Sequence, residues 1–146
     1  MNDKGNPVEL ALTKVTQEAK LCSEAVLFKI DAQGDWFYLD GSLPTKFARL
    51  FSSILNHIEG DYFLITPAEK LKVEVVDHPL IIVDYHLLEM GGIEVITSLD
   101  TKYMVDSIDD FNVTDEGITV LTERNLTAKL GRACYYRYIN QFIVTD

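Results

Sequence analysis

The sequence contains few of the residues that cross-link or interrupt a fold: two cysteines, four prolines and one tryptophan in 146 residues. Cys22 and Cys134 lie far apart in segments with a helical pattern, which matches neither a disulfide framework nor a cysteine-based metal site. We therefore expect two free thiols. A chain of this length buries about 68–70% of its unfolded surface without such cross-links, and we expect no cofactor.

Basic residues are also scarce. The chain has 13 lysines and arginines against 23 aspartates and glutamates, which gives a net charge of −10 and an isoelectric point near 4.6. Such a charge repels phosphate backbones and anionic lipid before any local contact can form. The composition therefore argues against a nucleic-acid partner and against a membrane partner.

Long apolar runs are missing as well. The longest, residues 75–88, is interrupted by Asp77, His78, Asp84 and His86, and the N-terminus has no signal-peptide pattern. The sequence predicts a cytoplasmic protein.

Hydrophobic periodicity and turn residues predict the elements of the first half. Apolar residues at helical spacing predict an N-terminal helix over residues 6–22 that packs on the rest of the protein. A second apolar stripe predicts a helix over residues 42–58, closed by Gly60, with His57 in its last turn. Strands are predicted over residues 26–31, 36–39, 61–66 and 71–76, with Gly34 in the turn of the first hairpin.

The second half has a different pattern after a boundary at residues 77–79, where Pro79 disfavours a continuing central strand. An antiparallel meander is predicted over residues 80–89, 93–99, 103–106, 111–113 and 118–122. Residues 125–141 mix helical spacing with strand-forming tyrosines. We predict a helix there, because of an internal repeat.

Residues 28–55 align without a gap on residues 111–138 and match at five positions, where about one or two matches are expected by chance. The matched pairs are Phe28 and Phe111, Gly34 and Gly117, Leu43 and Leu126, Lys46 and Lys129, and Arg49 and Arg132. The repeat predicts an α+β fold with two small subdomains of antiparallel strands, each covered by a helix. We place an N-terminal helix in residues 1–25, the first subdomain in 26–77 and the second in 78–146.

Two pairs of basic residues form the first candidate site. Lys46 and Arg49, like Lys129 and Arg132, are three residues apart and would share one face near the start of a predicted helix, where anions are favoured. If the two repeats pack together, both pairs border a groove between the subdomains that receives a carboxylate or a phosphate. The alternative is that these residues pair with acids on the surface.

Four further residues are candidates for the same groove. Trp36 and Tyr38 share one face of a strand, where they contact a ligand or partner, or else cover the core. Glu69 and Lys70 follow Pro67 and form either a polar corner at the groove or a structural salt bridge.

Asp84 and His86 share a strand face, with Asp77 and His78 near in sequence, and these groups could in principle bind a metal. No third converging ligand is apparent, and we predict no metal site. Neither cysteine has an activating neighbour by spacing, and no nucleophile elbow or phosphate-binding loop is present. We predict no catalytic residue.

Several motifs resemble a family of small, mostly bacterial proteins labelled as a domain of unknown function. These are the D-x-x-G-x-W-x-Y hairpin from Asp31, the helix segment Leu50-Phe51-Ser52-Ser53-Ile54-Leu55, and the connector Thr66-Pro67-Ala68-Glu69-Lys70. The resemblance implies a two-subdomain α/β fold with a repeated motif and a role in signalling or ligand sensing. The chain departs from the family at Leu43-Pro44-Thr45, and Lys46 stands where the family has arginine.

The sequence therefore predicts a non-enzymatic module that binds a small anionic ligand or a protein segment in a groove between subdomains, in bacterial signal transduction. The alternative is a metal-assisted hydrolase around Asp84 and His86. A third alternative is a purely structural interaction protein, and homodimer formation stays open.

Overall fold

A computed structural model describes residues 7–16 and 27–143, with side chains described at 7–12 and 27–143. Within these ranges the helices are α1 (Pro7–Thr16), α2 (Thr45–Ser52) and α3 (Arg132–Tyr138), and a 3-10 turn spans Ile108–Asp110. Helix α3 continues as a π-helical turn over Ile139–Ile143. The strands are β1 (Phe28–Ile30), β2 (Trp36–Tyr38), β3 (Gly41–Ser42), β4 (Leu55–Ile58), β5 (Asp61–Ile65), β6 (Lys70–Val75), β7 (Leu80–Leu87), β8 (Ile93–Thr97), β9 (Lys102–Val105), β10 (Asn112–Thr114), β11 (Gly117–Leu121) and β12 (Thr127–Leu130).

The strands form two six-stranded sheets, in the orders β3-β2-β1-β6-β5-β4 and β10-β11-β12-β7-β8-β9. In each sheet the first and last strands along the chain lie side by side and run parallel, while the other neighbours are antiparallel. The chain passes from the first sheet to the second between Val75 and Leu80. We call the two sheets with their helices the first unit and the second unit.

The two units repeat the same strand order, which confirms the predicted α+β fold with an internal repeat. Reading the second sheet from β9 to β10 gives the order of the first, so that β1 to β6 correspond to β7 to β12. The repeat in the structure is therefore not the one that the gapless alignment gave. Residues 28–55 contain β1, β2, β3 and α2, whereas residues 111–138 contain β10, β11, β12 and α3, which lie in the part of the second unit that corresponds to β4, β5 and β6. The division of the chain at residues 25 and 77 stays a prediction, because sheets in contact do not show that either unit folds alone.

Two predicted helices differ from the structure. The helix predicted over residues 42–58 ends at Ser52, and His57 lies in strand β4 rather than in a last helical turn. The helix predicted over 125–141 begins with strand β12, and α3 starts only at Arg132. In β12 buried Ala128 and Leu130 alternate with half-buried Thr127 and Lys129, which is the two-residue period of a strand. The predicted N-terminal helix is present as α1 over residues 7–16, and its remainder lies outside the described residues.

Both units contribute to one hydrophobic core. Phe28, Phe51 and Leu64 are buried in the first unit, where the rings of Phe28 and Phe51 meet edge to face at 5.7 Å. Tyr85 and Tyr138 are buried in the second unit, where α3 covers β7, and their rings are 6.4 Å apart. Helices α2 and α3 are therefore held to their sheets by aromatic packing as well as by aliphatic burial.

A tight turn of the first unit packs directly on the second sheet. Gly34 lies in the turn between β1 and β2 with φ of +85°, and a Cβ atom there would come 2.8 Å from Ile81 Cγ1 and 3.3 Å from Ser98 Oγ. Only glycine satisfies both the left-handed backbone and the close approach. This contact fixes the side on which the two units meet.

Two arginines join the units through backbone carbonyls. Arg124, in the turn between β11 and β12, donates to Leu55 O at 2.9 Å and to Ser52 O at 3.0 Å. Arg49 on α2 donates from Nε to Leu99 O at 2.8 Å. Charge-assisted hydrogen bonds of this kind hold the end of α2 and the edge strand β4 against turns of the second unit.

Cys134 is a free thiol, buried in α3, and Cys22 lies outside the described residues. Among the described helices, none has the length and apolar character needed to cross a bilayer.

Candidate functional site

A cleft of about 420 Å³ lies where the first unit meets the second. The first unit contributes its β1–β2 turn, and the second contributes β7, the β10–β11 turn, β12 and the start of α3. The lining residues are Ala32, Gln33, Ile81, Asp115, Glu116, Gly117, Lys129, Leu130, Gly131, Arg132 and Tyr135. The volume falls within the range of small-molecule sites, roughly 300–1,000 Å³.

Lys129 is held in place by two neighbours. Its Nζ lies 3.2 Å from Asp77 Oδ2, and a Cβ atom on Gly117 would come 3.0 Å from its Cε. Burial raises the pKa of Asp77, but hydrogen bonds from Lys129 and His78 outweigh burial and hold that pKa below its ordinary value. Asp77 is therefore an anion at neutral pH that keeps the lysine side chain at the cleft.

The other charged groups of the cleft have no such partner. Arg132 is the first residue of α3 and is exposed, with its guanidinium 5.9 Å from the ring of Tyr136. Within the described part of the chain, Arg132, Asp115 and Glu116 form no ion pair. The cleft therefore offers one paired cation, one unpaired cation and two unpaired carboxylates.

Apolar groups complete the lining. Ile81 and Leu130 come from the paired strands β7 and β12, and Tyr135 from the first turn of α3. Ile81 and Tyr135 are half-buried, so that each keeps some surface toward the cleft. The site can thus accept both charged and apolar parts of a small ligand.

Only one of the two predicted basic pairs lines this cleft. Lys129 and Arg132 do, whereas Lys46 and Arg49 are on α2 and are not among the lining residues. Lys46 is exposed beside the ring of Phe47, and Arg49 is engaged with the carbonyl of Leu99. The predicted equivalence of the pairs is wrong, because Lys46 is in a helix and Lys129 in a strand.

The other four candidate residues lie in the first unit, away from the cleft. Trp36 is 2% exposed and packs near Phe51, so of the two alternatives it takes the one in which it covers the core. Tyr38 is half-buried with its ring 4.9 Å from that of Phe28.

Glu69 ends the β5–β6 connector, and Lys70 is the first residue of β6. The Glu69 amide donates to Thr66 Oγ1 at 3.0 Å, and Lys70 Nζ lies 4.5 Å from the centre of the Phe63 ring. No ion pair joins Glu69 to Lys70 among the described contacts, and neither residue lines the cleft. The connector is ordered by a threonine turn and by cation–π packing instead.

Asp84 and His86 do share a face of β7, but Asp84 is already engaged. Arg137 Nη1 lies 2.6 Å from Asp84 Oδ1, and His86 Nε2 lies 3.5 Å from Oδ2. The hydrogen bond from Arg137 lowers the pKa of Asp84 despite some burial. In the described residues no three metal-ligating side chains come together.

Sequence reasoning missed Asp115, Glu116, Ile81 and Tyr135. The signal for the first two was the turn sequence Asp115-Glu116-Gly117, which predicts a hairpin loop but not what the loop faces. Ile81 and Tyr135 carried no separate signal, because their exposure depends on how the two units meet.

Two strand-order repeats with a cleft at their junction define the class of the protein: a two-unit α+β protein with an internal repeat. The chain belongs to the DUF1285 family. Residues 18–78 match the model described as "Domain of unknown function (DUF1285), N-terminal domain". Comparison with curated proteins found no match.

Two solved structures are similar to this chain. A DUF1285 family protein from Shewanella baltica OS155 is 48% identical, with a TM-score of 0.76 over 82% of this chain and 94% of that one. A DUF1285 family protein from Silicibacter pomeroyi DSS-3 is 24% identical, with a TM-score of 0.69 over 83% of this chain and 72% of that one. The first similarity shows the family, and the second shows the fold.

Proposed function

We propose that this protein is a non-enzymatic binding module that takes a small ligand with an anionic group in the cleft between its two units. The observation that carries the proposal is the position of Arg132, an unpaired arginine that lines a cleft to which both units contribute. Arg132 can hold a carboxylate or phosphate oxygen, and Lys129 on strand β12, although paired with Asp77, lies in the lining of the same cleft. Ile81, Leu130 and Tyr135 receive the apolar part.

The groups that could perform covalent chemistry support binding rather than catalysis. Burial raises the pKa of Cys134 to about 11, so this thiol stays protonated at neutral pH and is a poor nucleophile. The Asp84 carboxylate is bound to Arg137, and its contact with His86 is long. A hydrolase around Asp84 and His86 therefore has no observation in its favour.

The position of the ligand in the cleft supports a signalling role as part of this proposal. Ala32 and Gln33 belong to the first unit, and the other lining residues belong to the second. A ligand that contacts both units stabilises their present arrangement over any looser one, in proportion to its differential affinity for the two. We include this coupling in the proposal as the route from ligand binding to a signal.

The test is thermal stabilisation and calorimetric binding with a panel of small anions that includes phosphate, succinate and isocaproate. A ligand of the wild-type protein should lose roughly 10–100-fold in affinity in Arg132→Ala, the usual loss when a charge-assisted hydrogen bond is removed. Because Arg132 is exposed, the melting temperature without ligand should not change.

Lys46→Ala is the matched control, because it removes an exposed cation that does not line the cleft. It should leave the affinity within about twofold of wild type, since exposed charges distant from a ligand are screened. Equal losses in both variants, or full affinity in Arg132→Ala, would contradict the proposed site.

A further inference from the structure

The charges that line the cleft include as many acids as bases. Asp115 and Glu116 lie on the β10–β11 turn, Lys129 on β12 and Arg132 at the start of α3. Lys129 is already neutralised by Asp77 at 3.2 Å. The charges left for a ligand to satisfy are therefore one guanidinium and two carboxylates.

We propose, resting on the function proposed above, that the ligand is a small zwitterion with an apolar side chain, of the free α-amino acid class. Its carboxylate binds Arg132, its ammonium group binds Asp115 or Glu116, and its side chain lies against Ile81, Leu130 and Tyr135.

Electrostatics favours this class over a simple anion. A purely anionic ligand would approach a protein of net charge −10 and then sit beside two unpaired carboxylates. A zwitterion has no net charge, so it meets no long-range repulsion, and each of its ends finds a group of opposite sign. The two acids that weaken binding of an anion become contacts for the ammonium group.

The acidic turn is held in one conformation by its own hydrogen bonds. Thr114 Oγ1 donates to Gly117 O at 3.1 Å and accepts from the Glu116 amide at 3.2 Å. Gly117, with φ of +141°, brings the turn against the aliphatic chain of Lys129. The carboxylates are thus carried on a fixed hairpin loop beside the basic side of the cleft, and a ligand need not order it.

The experiment compares three probes with the same branched side chain: leucine, isocaproate, which lacks the ammonium group, and isoamylamine, which lacks the carboxylate. Calorimetry on the full chain should show leucine binding at least about tenfold more tightly than either of the others, because a site that pairs both charges rejects the analogue that leaves one unpaired. In the variant Asp115→Asn with Glu116→Gln, the affinity for leucine should fall to that for isocaproate.

Asp109→Asn with Asp110→Asn is the matched control. It makes the same change in net charge on the 3-10 turn, whose residues do not line the cleft. Leucine affinity should be unchanged in this control. A loss equal to that in the Asp115 and Glu116 variant would overturn the proposal, because it would show an effect of overall charge.

The remaining outcomes separate the two proposals. Isocaproate that binds as tightly as leucine overturns the zwitterion and leaves the anion site intact, with the two acids as a solvated rim. Isoamylamine that binds more tightly than leucine overturns both. If no probe binds, the zwitterion with an apolar side chain is overturned, and the anion panel with Arg132→Ala decides the proposed function separately.

Discussion

The two units share one strand order but differ at the centre of their sheets. In the first unit Lys29 lies opposite Glu74 on the parallel strands β1 and β6, and both are exposed. The corresponding pair in the second unit is Ile81 and Lys129 on β7 and β12. The isoleucine is half-buried because the turn at Gly34 packs on it, and Lys129 lines the cleft beside it. At the centre of the second sheet an apolar side chain therefore stands where the first sheet has an exposed charged one. This is the place where the two units meet.

The units also differ in where their helices lie. In the first unit α2 joins β3 to β4, whereas the corresponding connection in the second unit holds only the three-residue 3-10 turn at Ile108–Asp110. The second unit is covered instead by α3, which follows its last strand. Strand pairing is thus the same in the two units, but the helix that covers the core lies at a different position along the chain in each unit.

The largest loss of stability is expected from disrupting the packing of the β1–β2 turn on the second sheet, a contact that the corresponding turn of the second unit does not make. Gly34→Ala should destabilise the protein by about 2–4 kcal/mol, because it combines left-handed backbone strain with a clash against Ile81. Urea unfolding measures the loss.

Gly91→Ala is the control within the repeat. Gly91 lies in the corresponding turn between β7 and β8, has φ of +88°, and a Cβ atom there would have no neighbour within 4 Å. Gly91→Ala should destabilise the protein only through the strain of the left-handed backbone, by about 1–2 kcal/mol. Equal losses in the two variants would show that the turn at Gly34 does not press on the second sheet.

A smaller loss of stability is expected from removing the hydrogen bonds by which the second unit holds the edge strand β4 of the first unit. Arg124→Ala removes two hydrogen bonds to carbonyls of the buried residues Leu55 and Ser52 and should cost about 1.5–3 kcal/mol. Hydrogen exchange should rise first at β4, whose His57 amide donates to Arg124 O.

Arg132→Ala serves as its control, because Arg132 donates no hydrogen bond to the first unit among the described contacts. Its stability should stay within about 0.5 kcal/mol of wild type. Exchange at β4 that is the same in both arginine variants would mean that Arg124 does not hold the edge strand.

Much of the fold could be predicted from local patterns. Gly34 between apolar strands predicted the first hairpin, and the apolar stripe of α2 predicted its helix. Strand β12 was missed because four residues, Thr127 to Leu130, are too short to show a strand period against the helical spacing around them. The gapless repeat then reinforced the error by equating Lys129 with a helical residue.

Part of the candidate site was predicted from the sequence, but the reasoning behind that prediction was wrong. Lys129 and Arg132 do lie together at the cleft, but one extends from a strand and the other opens a helix, so they do not share a helix face. Asp115, Glu116 and Ile81 could not be assigned, because their role depends on contacts between residues about 50 positions apart, such as Gly34 with Ile81. Such pairings leave no local period in a sequence.

The smallest loss of stability is expected from removing an ion pair, and each unit has one that can be compared. Lys129 and Asp77 are 3.2 Å apart, whereas Lys72 and Asp61 in the first unit are 3.6 Å apart and more exposed. Because the folded-state pKa of Asp77 is lowered, its pair stabilises the protein above the unfolded-state pKa, near 3.8, and that stability is lost as the pH falls through the folded-state value. Asp77→Asn should therefore cost less than about 1 kcal/mol at pH 7. In urea unfolding at a series of pH values, its stability should converge on that of wild type once the pH falls below the lowered folded-state pKa of Asp77. Asp61→Asn should cost less than Asp77→Asn at pH 7. A difference between Asp77→Asn and wild type that persists unchanged at low pH would mean that the side chain acts by packing rather than by its charge on Lys129.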